Sequence, residues 1–121
     1  VSLVEEGWWD NEITRMVANE YLSELKEEDI DTLVLGCTHY PLLSETIRKV
    51  MGDEVVQVSS AEELALALKQ LLTEKSLYAG DTKVNYHYYT SDSVEKFKKL
   101  GKMILGEDVD PVERVDLDYR V

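Results

Sequence analysis

Three side chains that could take part in catalysis stand next to one another at Cys37, Thr38 and His39. A thiolate is a nucleophile or a base, a hydroxyl can donate a hydrogen bond to a bound anion, and an imidazole exchanges protons near neutral pH. Residues two apart in an extended segment point the same way, so Cys37 and His39 would face one ligand if the backbone is extended there. The triplet therefore indicates acid–base or nucleophilic chemistry.

The triplet follows an apolar run at residues 32–36 that predicts a short buried strand, and it precedes Pro41, which suits the first turn of a helix. Ligands of open α/β sheets bind at the carboxyl ends of strands. The free N–H groups and positive dipole end of a helix starting near Pro41 would attract an anion and favour a thiolate. Gly36 would let a ligand approach the backbone closely.

The remaining pattern predicts helices that alternate with short strands. Apolar residues at helical spacing predict one helix over residues 13–25, capped by Asp10 or Asn11, and a second from about Leu43 to Gly52. Two more helices are predicted to begin at a capping box at Ser60 and near Asp92, and the further strands at residues 55–58, 84–90 and 112–117. This order predicts an α/β fold with a parallel or mixed sheet that is covered on both faces.

Composition excludes several classes of function. Thirteen Lys and Arg against 25 Asp and Glu give a net charge of −12, which argues against nucleic-acid binding and against docking on anionic lipid. No apolar run approaches the roughly 18 residues of a membrane helix. A single Cys without a secretion signal indicates a reducing compartment and excludes an internal disulfide. Beyond Cys37-x-His39, neither metal-ligand spacing nor a Gly-rich phosphate loop is present.

Residues 31–43, DTLVLGCTHYPLL, closely resemble the second cysteine motif of glutamate racemases, whereas the related aspartate and hydantoin racemases typically have Glu where His39 stands. The segment LVEEGW resembles the LVE segment of the same family, and its Glu5 precedes Cys37 by 32 positions, as the family leads us to expect. Residues 88–101 resemble the late strand and helix of these enzymes. The resemblance covers essentially the whole chain.

The resemblance implies racemisation of glutamate without a cofactor or a metal, in the bacterial cytoplasm, which supplies D-glutamate for peptidoglycan. Cys37 would be the second catalytic cysteine, which abstracts the α-proton from L-glutamate and in the reverse direction protonates the carbanion. His39 would exchange or steer the proton of Cys37, Thr38 would bind a substrate carboxylate, and Glu5 would support the histidine or the substrate ammonium.

The resemblance also implies that much of the enzyme lies outside these residues. The first half of the family supplies the other catalytic cysteine, and the first residue here is not Met, so we expect the chain to begin within a longer protein. Residues 1–59 would complete the second of two Rossmann-like lobes, and residues 60–121 would return to complete the first. The intact protein would be a homodimer, and the chain alone would be inactive and would expose apolar surface.

Three alternatives remain at this point. A racemase for aspartate or a hydantoin would show proton exchange on a different substrate. A Cys–His acyl-transfer enzyme would form a covalent adduct on Cys37. In a non-catalytic interaction module, Cys37 would simply be packed as a small apolar side chain.

Overall fold

The computed structural model of the chain describes residues 1–80 and 82–117. They form two compact units, Val1–Ala79 and Gly80–Val121, the second described as far as residue 117. Each unit combines helical structure with a parallel sheet of two strands. The predicted α/β class is therefore confirmed, and the described strands form two separate two-stranded sheets.

The first unit carries the Cys-Thr-His triplet. Its elements in chain order are α1 (Ser2–Glu5), α2 (Glu12–Glu27), β1 (Thr32–Leu35), a 3₁₀ turn (Tyr40–Leu43), α3 (Ser44–Met51), β2 (Val56–Ser59) and α4 (Ser60–Glu74). Strands β1 and β2 are parallel, with Thr32 opposite Val56 and Leu35 opposite Ser59. The triplet therefore begins two residues beyond the carboxyl end of β1, where the sequence predicted it.

The core of the first unit lies on one face of this sheet. Leu35 of β1 packs with Ile47 and Met51 of α3. Partly buried apolar side chains surround these three residues, namely Leu22, Ile30, Leu33, Leu43 and Val55. Because Leu22 comes from α2, helices α2 and α3 both pack against the strand that leads into the triplet.

The other face of the same sheet is open among the described residues. Val34 is 64% exposed and Val56 is 61% exposed. The prediction of a sheet covered on both faces is therefore wrong for the described part of the chain. Helix α4 is also uncovered, and Leu64 and Leu66 are more than half exposed. This exposed apolar surface is what the sequence led us to expect of the chain alone.

Helix ends differ in detail from the prediction. Asn11, one of the two expected caps, accepts a hydrogen bond from the Thr14 N–H at 2.9 Å. Gly52 ends α3 with φ = 100°, a conformation that suits glycine. The capping box at Ser60 is wrong by one residue, because Ser59 caps α4 by accepting from the Glu62 N–H.

The second unit contains β3 (Tyr88–Thr90), α5 (Val94–Leu105) and β4 (Val112–Arg114). Strands β3 and β4 pair in parallel, with Tyr88 opposite Val112. Both are shorter than the predicted strands at residues 84–90 and 112–117. Ser93, rather than Asp92, caps α5. Strand formation depends on a neighbouring strand as much as on composition, and residues 84–87 have none within the described ranges.

Close packing joins α5 to the segment before β4. A Cβ atom added at Gly101 would lie 2.7 Å from Val109 Cγ2, and Val109 is only 3% exposed. Glycine therefore permits this approach of helix and loop. None of the helices in residues 1–80 and 82–117 has the length and apolar character needed to cross a bilayer.

Candidate active site at the Cys37–His39 turn

The Cys-Thr-His triplet forms a turn at the end of β1. The Tyr40 N–H donates to the Cys37 carbonyl at 3.1 Å, and the Leu42 N–H donates to the His39 carbonyl at 3.2 Å. Cys37 and His39 are partly exposed, and Thr38 is exposed. The backbone is thus not extended as expected, since the turn itself brings the side chains of Cys37 and His39 together.

The imidazole of His39 is the centre of the site. Its Nδ1 lies 3.7 Å from Cys37 Sγ and 3.4 Å from Thr38 Oγ1. On its other side, Nε2 lies 3.6 Å from Glu5 Oε1. The structure therefore brings together the four residues that the sequence singled out. Which of the sulfur, hydroxyl and ring nitrogens donates depends on the tautomer of His39.

This arrangement can move a proton between sulfur and imidazole. A His39 ring that takes the thiol proton at Nδ1 becomes a cation, and the Glu5 carboxylate near Nε2 then stabilises that cation. The stabilisation is modest, about 0–1 kcal/mol, because the Glu5 side chain is 56% exposed and water screens the pair. A cysteine, a histidine and a carboxylate in contact can catalyse acyl transfer as well as proton transfer. The geometry alone therefore does not distinguish the two reactions.

The predicted α-helix at Pro41 is wrong in type. Residues Tyr40–Leu43 form a 3₁₀ turn, and α3 begins only at Ser44. Because the field of a helix end falls off within about one turn, α3 has little influence on the charge of Cys37. The group that can exchange a proton with Cys37 is therefore the neighbouring His39. The N–H groups of Thr38 and His39 nevertheless donate to no acceptor within the described residues, which leaves them available to an anion.

The turn between α1 and α2 is held by buried hydrogen bonds that were not predicted from the sequence. Thr14 of α2 and Thr46 of α3 are buried, at 1% and 0% exposure. Their hydroxyls donate to the carbonyls of Trp8 and Trp9, each at 2.7 Å. The hydrogen bond of Thr46 could have been anticipated, because Thr46 lies on the apolar face of α3, where a polar side chain needs a buried partner.

An ion pair at the same turn predicts a pH dependence. Lys49 donates to Asp10 Oδ2 at 2.6 Å and holds the pKa of Asp10 below its ordinary value of 3.8. A carboxyl with a depressed pKa stabilises the fold fully above its unfolded pKa, and this contribution is lost as the pH falls through the folded value. We therefore expect Asp10→Asn to lower the Tm at neutral pH, and the difference from wild type to close as the pH falls from about pH 5 through the lowered pKa of Asp10.

Thermal unfolding of both proteins, followed by circular dichroism in steps of pH, measures this difference. Arg114→Gln is a control at an exposed cation of the second unit and should show no such convergence with the wild type. A Tm difference for Asp10→Asn that stays constant down to about pH 2 would contradict the role of the pair.

Comparison with known proteins relates this site to one family. No family model matches the chain. Curated glutamate racemases from Geobacter metallireducens and Syntrophus aciditrophicus are each 44% identical to it, over 119 and 118 residues. These alignments cover 98% and 97% of the chain, and 44% of each relative.

Solved structures give the same result. The glutamate racemase isoform RacE1 from Bacillus anthracis superposes with a TM-score of 0.84 at 38% identity, over 96% of this chain and 43% of that one. The glutamate racemase from Francisella tularensis, solved in complex with D-glutamate, gives a TM-score of 0.81 at 35% identity, over 97% of this chain and 44% of that one. The chain thus spans less than half the length of these relatives. By sequence and fold, the chain matches the C-terminal part of these glutamate racemases.

Proposed function

We propose that the chain supplies one half of the active site of a glutamate racemase that interconverts L- and D-glutamate without a cofactor. The observation that carries this proposal is the 3.7 Å contact between Cys37 Sγ and His39 Nδ1 at the end of β1. A partly exposed thiol next to an imidazole can exchange its proton, whereas a thiol sealed in the core could not. Similarity to curated glutamate racemases along almost the whole chain supports glutamate as the substrate.

In the proposed reaction, the thiolate of Cys37 takes the α-proton of L-glutamate and becomes a thiol. The carbanion left behind receives a proton from an acid on its opposite face, which the rest of the protein provides. In the reverse direction, the thiol of Cys37 donates its proton to the carbanion. One proton is taken and one is given in each turnover, so no oxidant, reductant or further reactant is needed.

His39 and Glu5 prepare Cys37 for this step. His39 Nδ1 exchanges a proton with Cys37 Sγ, so the sulfur can enter each cycle as a thiolate or as a thiol. Glu5 stands 3.6 Å from Nε2 and favours the protonated ring while Cys37 is a thiolate. Because Glu5 is more than half exposed, its contribution to this arrangement is modest.

Thr38 and the adjacent backbone would bind the substrate. Its hydroxyl and the N–H groups of Thr38 and His39 can donate to a carboxylate of glutamate. Local donors of this kind matter because the chain as a whole carries a net charge of −12, which repels an anionic ligand such as glutamate. Short, directed hydrogen bonds from backbone N–H groups to a carboxylate are among the stronger ones in proteins.

We further propose that the rest of a longer protein covers the open face of the β1–β2 sheet and supplies the second acid–base group. Exposure of Val34 and Val56 supports this, since a two-stranded sheet is rarely stable with one apolar face in water. The assignment of residues 1–59 and 60–121 to two lobes, a homodimer and a place in the bacterial cytoplasm belong to the same proposal. Helix α4 clusters with the first compact unit in this chain, and its lobe in the whole protein stays a prediction.

Proton exchange tests the reaction and the substrate. The whole protein, incubated in D₂O with L-glutamate or L-aspartate, should place deuterium at the α-carbon of glutamate and form D-glutamate. L-aspartate should exchange at least about 100-fold more slowly, because a substrate one methylene shorter loses contacts in a fitted site. Equal or faster exchange on L-aspartate would favour the sibling racemase. A stable acyl adduct on Cys37, detected by mass spectrometry, would favour acyl transfer.

A further inference from the structure

Thr46 ties the turn between α1 and α2 to helix α3. Its hydroxyl is fully buried and donates to the Trp9 carbonyl at 2.7 Å. Because Thr46 has no exposed surface, its hydroxyl needs a partner within the protein, and the Trp9 carbonyl is that partner. This hydrogen bond fixes the Trp9 carbonyl on α3, and the Lys49–Asp10 ion pair joins the next residue of the turn to the same helix.

The side chain of Trp9 in turn forms a hydrogen bond with Val4, the residue before Glu5. The indole N–H of Trp9 donates to the Val4 carbonyl at 2.9 Å, and Val4 is only 3% exposed. Helix α1 has four residues, too few to hold its own conformation in water. The position of Glu5 therefore depends on Trp9, which in turn depends on Thr46.

Helix α3 also determines where His39 lies. The 3₁₀ turn Tyr40–Leu43 joins His39 directly to α3, and the Leu42 N–H donates to the His39 carbonyl. Both partners of the Glu5–His39 contact are thus held by one helix, His39 through the chain and Glu5 through Thr46 and Trp9. The contact needs such support, because an exposed Glu side chain loses rotamer entropy when it pairs in only one geometry.

We propose that Thr46 and Trp9 are positioning residues that fix Glu5 against His39 and thereby set the proton exchange between His39 and Cys37. This inference rests on the proposed function. Neither residue touches the reacting atoms, and each acts through the backbone of α1. Loss of the Glu5 contact should cost up to about fivefold in rate, the upper limit for an exposed ion pair, and a change of this size is measurable.

The test uses variants of the whole protein that remove one hydrogen bond at a time. Thr46→Val keeps the shape of the side chain but removes the donor, and Trp9→Phe removes the indole N–H. We expect each to lower kcat by up to about fivefold, the largest loss that this exposed contact allows, and to change KM less than about twofold. Thr46→Ser restores the donor and should return kcat to within about twofold of wild type. Ile47→Val, a core change one residue along α3, should lower the Tm while leaving kcat within about twofold.

A double-mutant cycle with Glu5→Gln separates positioning from general destabilisation. If Thr46 acts through Glu5, then Thr46→Val should change kcat less than about twofold once Glu5→Gln is present. Multiplicative loss in the double variant would overturn the proposal, and so would an effect of Ile47→Val on kcat as large as that of Thr46→Val.

NMR of the His39 ring tests the positioning role separately from the proposed function. The ¹⁵N chemical shifts of the His39 ring, measured at neutral pH, should move in the same direction in Thr46→Val, Trp9→Phe and Glu5→Gln, and should stay at the wild-type value in Ile47→Val. Unchanged shifts in Thr46→Val would overturn the positioning role. Coupled shifts in a protein that does not racemise glutamate would confirm the positioning and refute the proposed reaction.

Discussion

Replacing Cys37 with Ser should reduce kcat/KM for the racemisation of L-glutamate by about 10³-fold or more, the upper range for loss of a general base. A hydroxyl is a far weaker acid than a thiol, so the oxygen of Ser would not become an anion beside His39 at neutral pH. The change is nearly isosteric and Cys37 is only partly buried, so the fold should persist. Polarimetry or circular dichroism of glutamate follows the reaction in both directions.

Two further measurements make this prediction specific to proton transfer. Exchange of the α-proton of L-glutamate in D₂O should fall together with racemisation, because Cys37 is the proposed base for that enantiomer. Tyr40→Phe is a control in the same turn, since it removes an exposed hydroxyl that has no part in the mechanism, and it should change kcat/KM less than about twofold. Wild-type rates in Cys37→Ser would mean that the thiol is merely packed, as in the interaction-module alternative.

Local features of this fold could be predicted from the sequence because they depend on neighbours along the chain. The strand before Cys37 could be predicted because it is a short apolar run with polar residues on both sides. Gly52 as the end of α3 and Asn11 as the cap of α2 follow from the conformations that these residue types favour. Residue types and spacing were enough to single out Cys37, Thr38 and His39. Their roles, and the choice of Glu5, rested on resemblance, since spacing alone leaves a lone cysteine open to several roles.

Features that depend on distant contacts could not be predicted. No local rule connects Thr46 with the Trp9 carbonyl 37 residues away, yet this hydrogen bond restrains the segment that carries Glu5. Residues 84–87 have the composition of a strand, but only β3 at residues 88–90 pairs with β4. The 3₁₀ turn at Tyr40–Leu43 was predicted as the start of an α-helix, because Pro41 is compatible with the first turn of either.

The second large effect concerns the chain by itself. We expect purified residues 1–121 to show no measurable racemisation of D- or L-glutamate, whereas the whole protein is active. A single acid–base group such as Cys37 can remove the α-proton but cannot return one to the opposite face, so inversion needs the group that we assign to the rest of the protein. The exposed Val34 and Leu64 also predict that the separate chain associates with itself, which size-exclusion chromatography measures.

Reconstitution provides the decisive form of this prediction. When the chain is mixed with the separately produced remainder of the protein, racemisation should appear and should saturate at one equivalent. The Cys37→Ser chain should bind the remainder equally well, because the sulfur is not part of the open face of the β1–β2 sheet that we propose the remainder covers. This mixture should nevertheless remain inactive. Racemisation by the 121 residues alone would contradict the two-sided mechanism, because one face of the α-carbon would then suffice for both proton transfers.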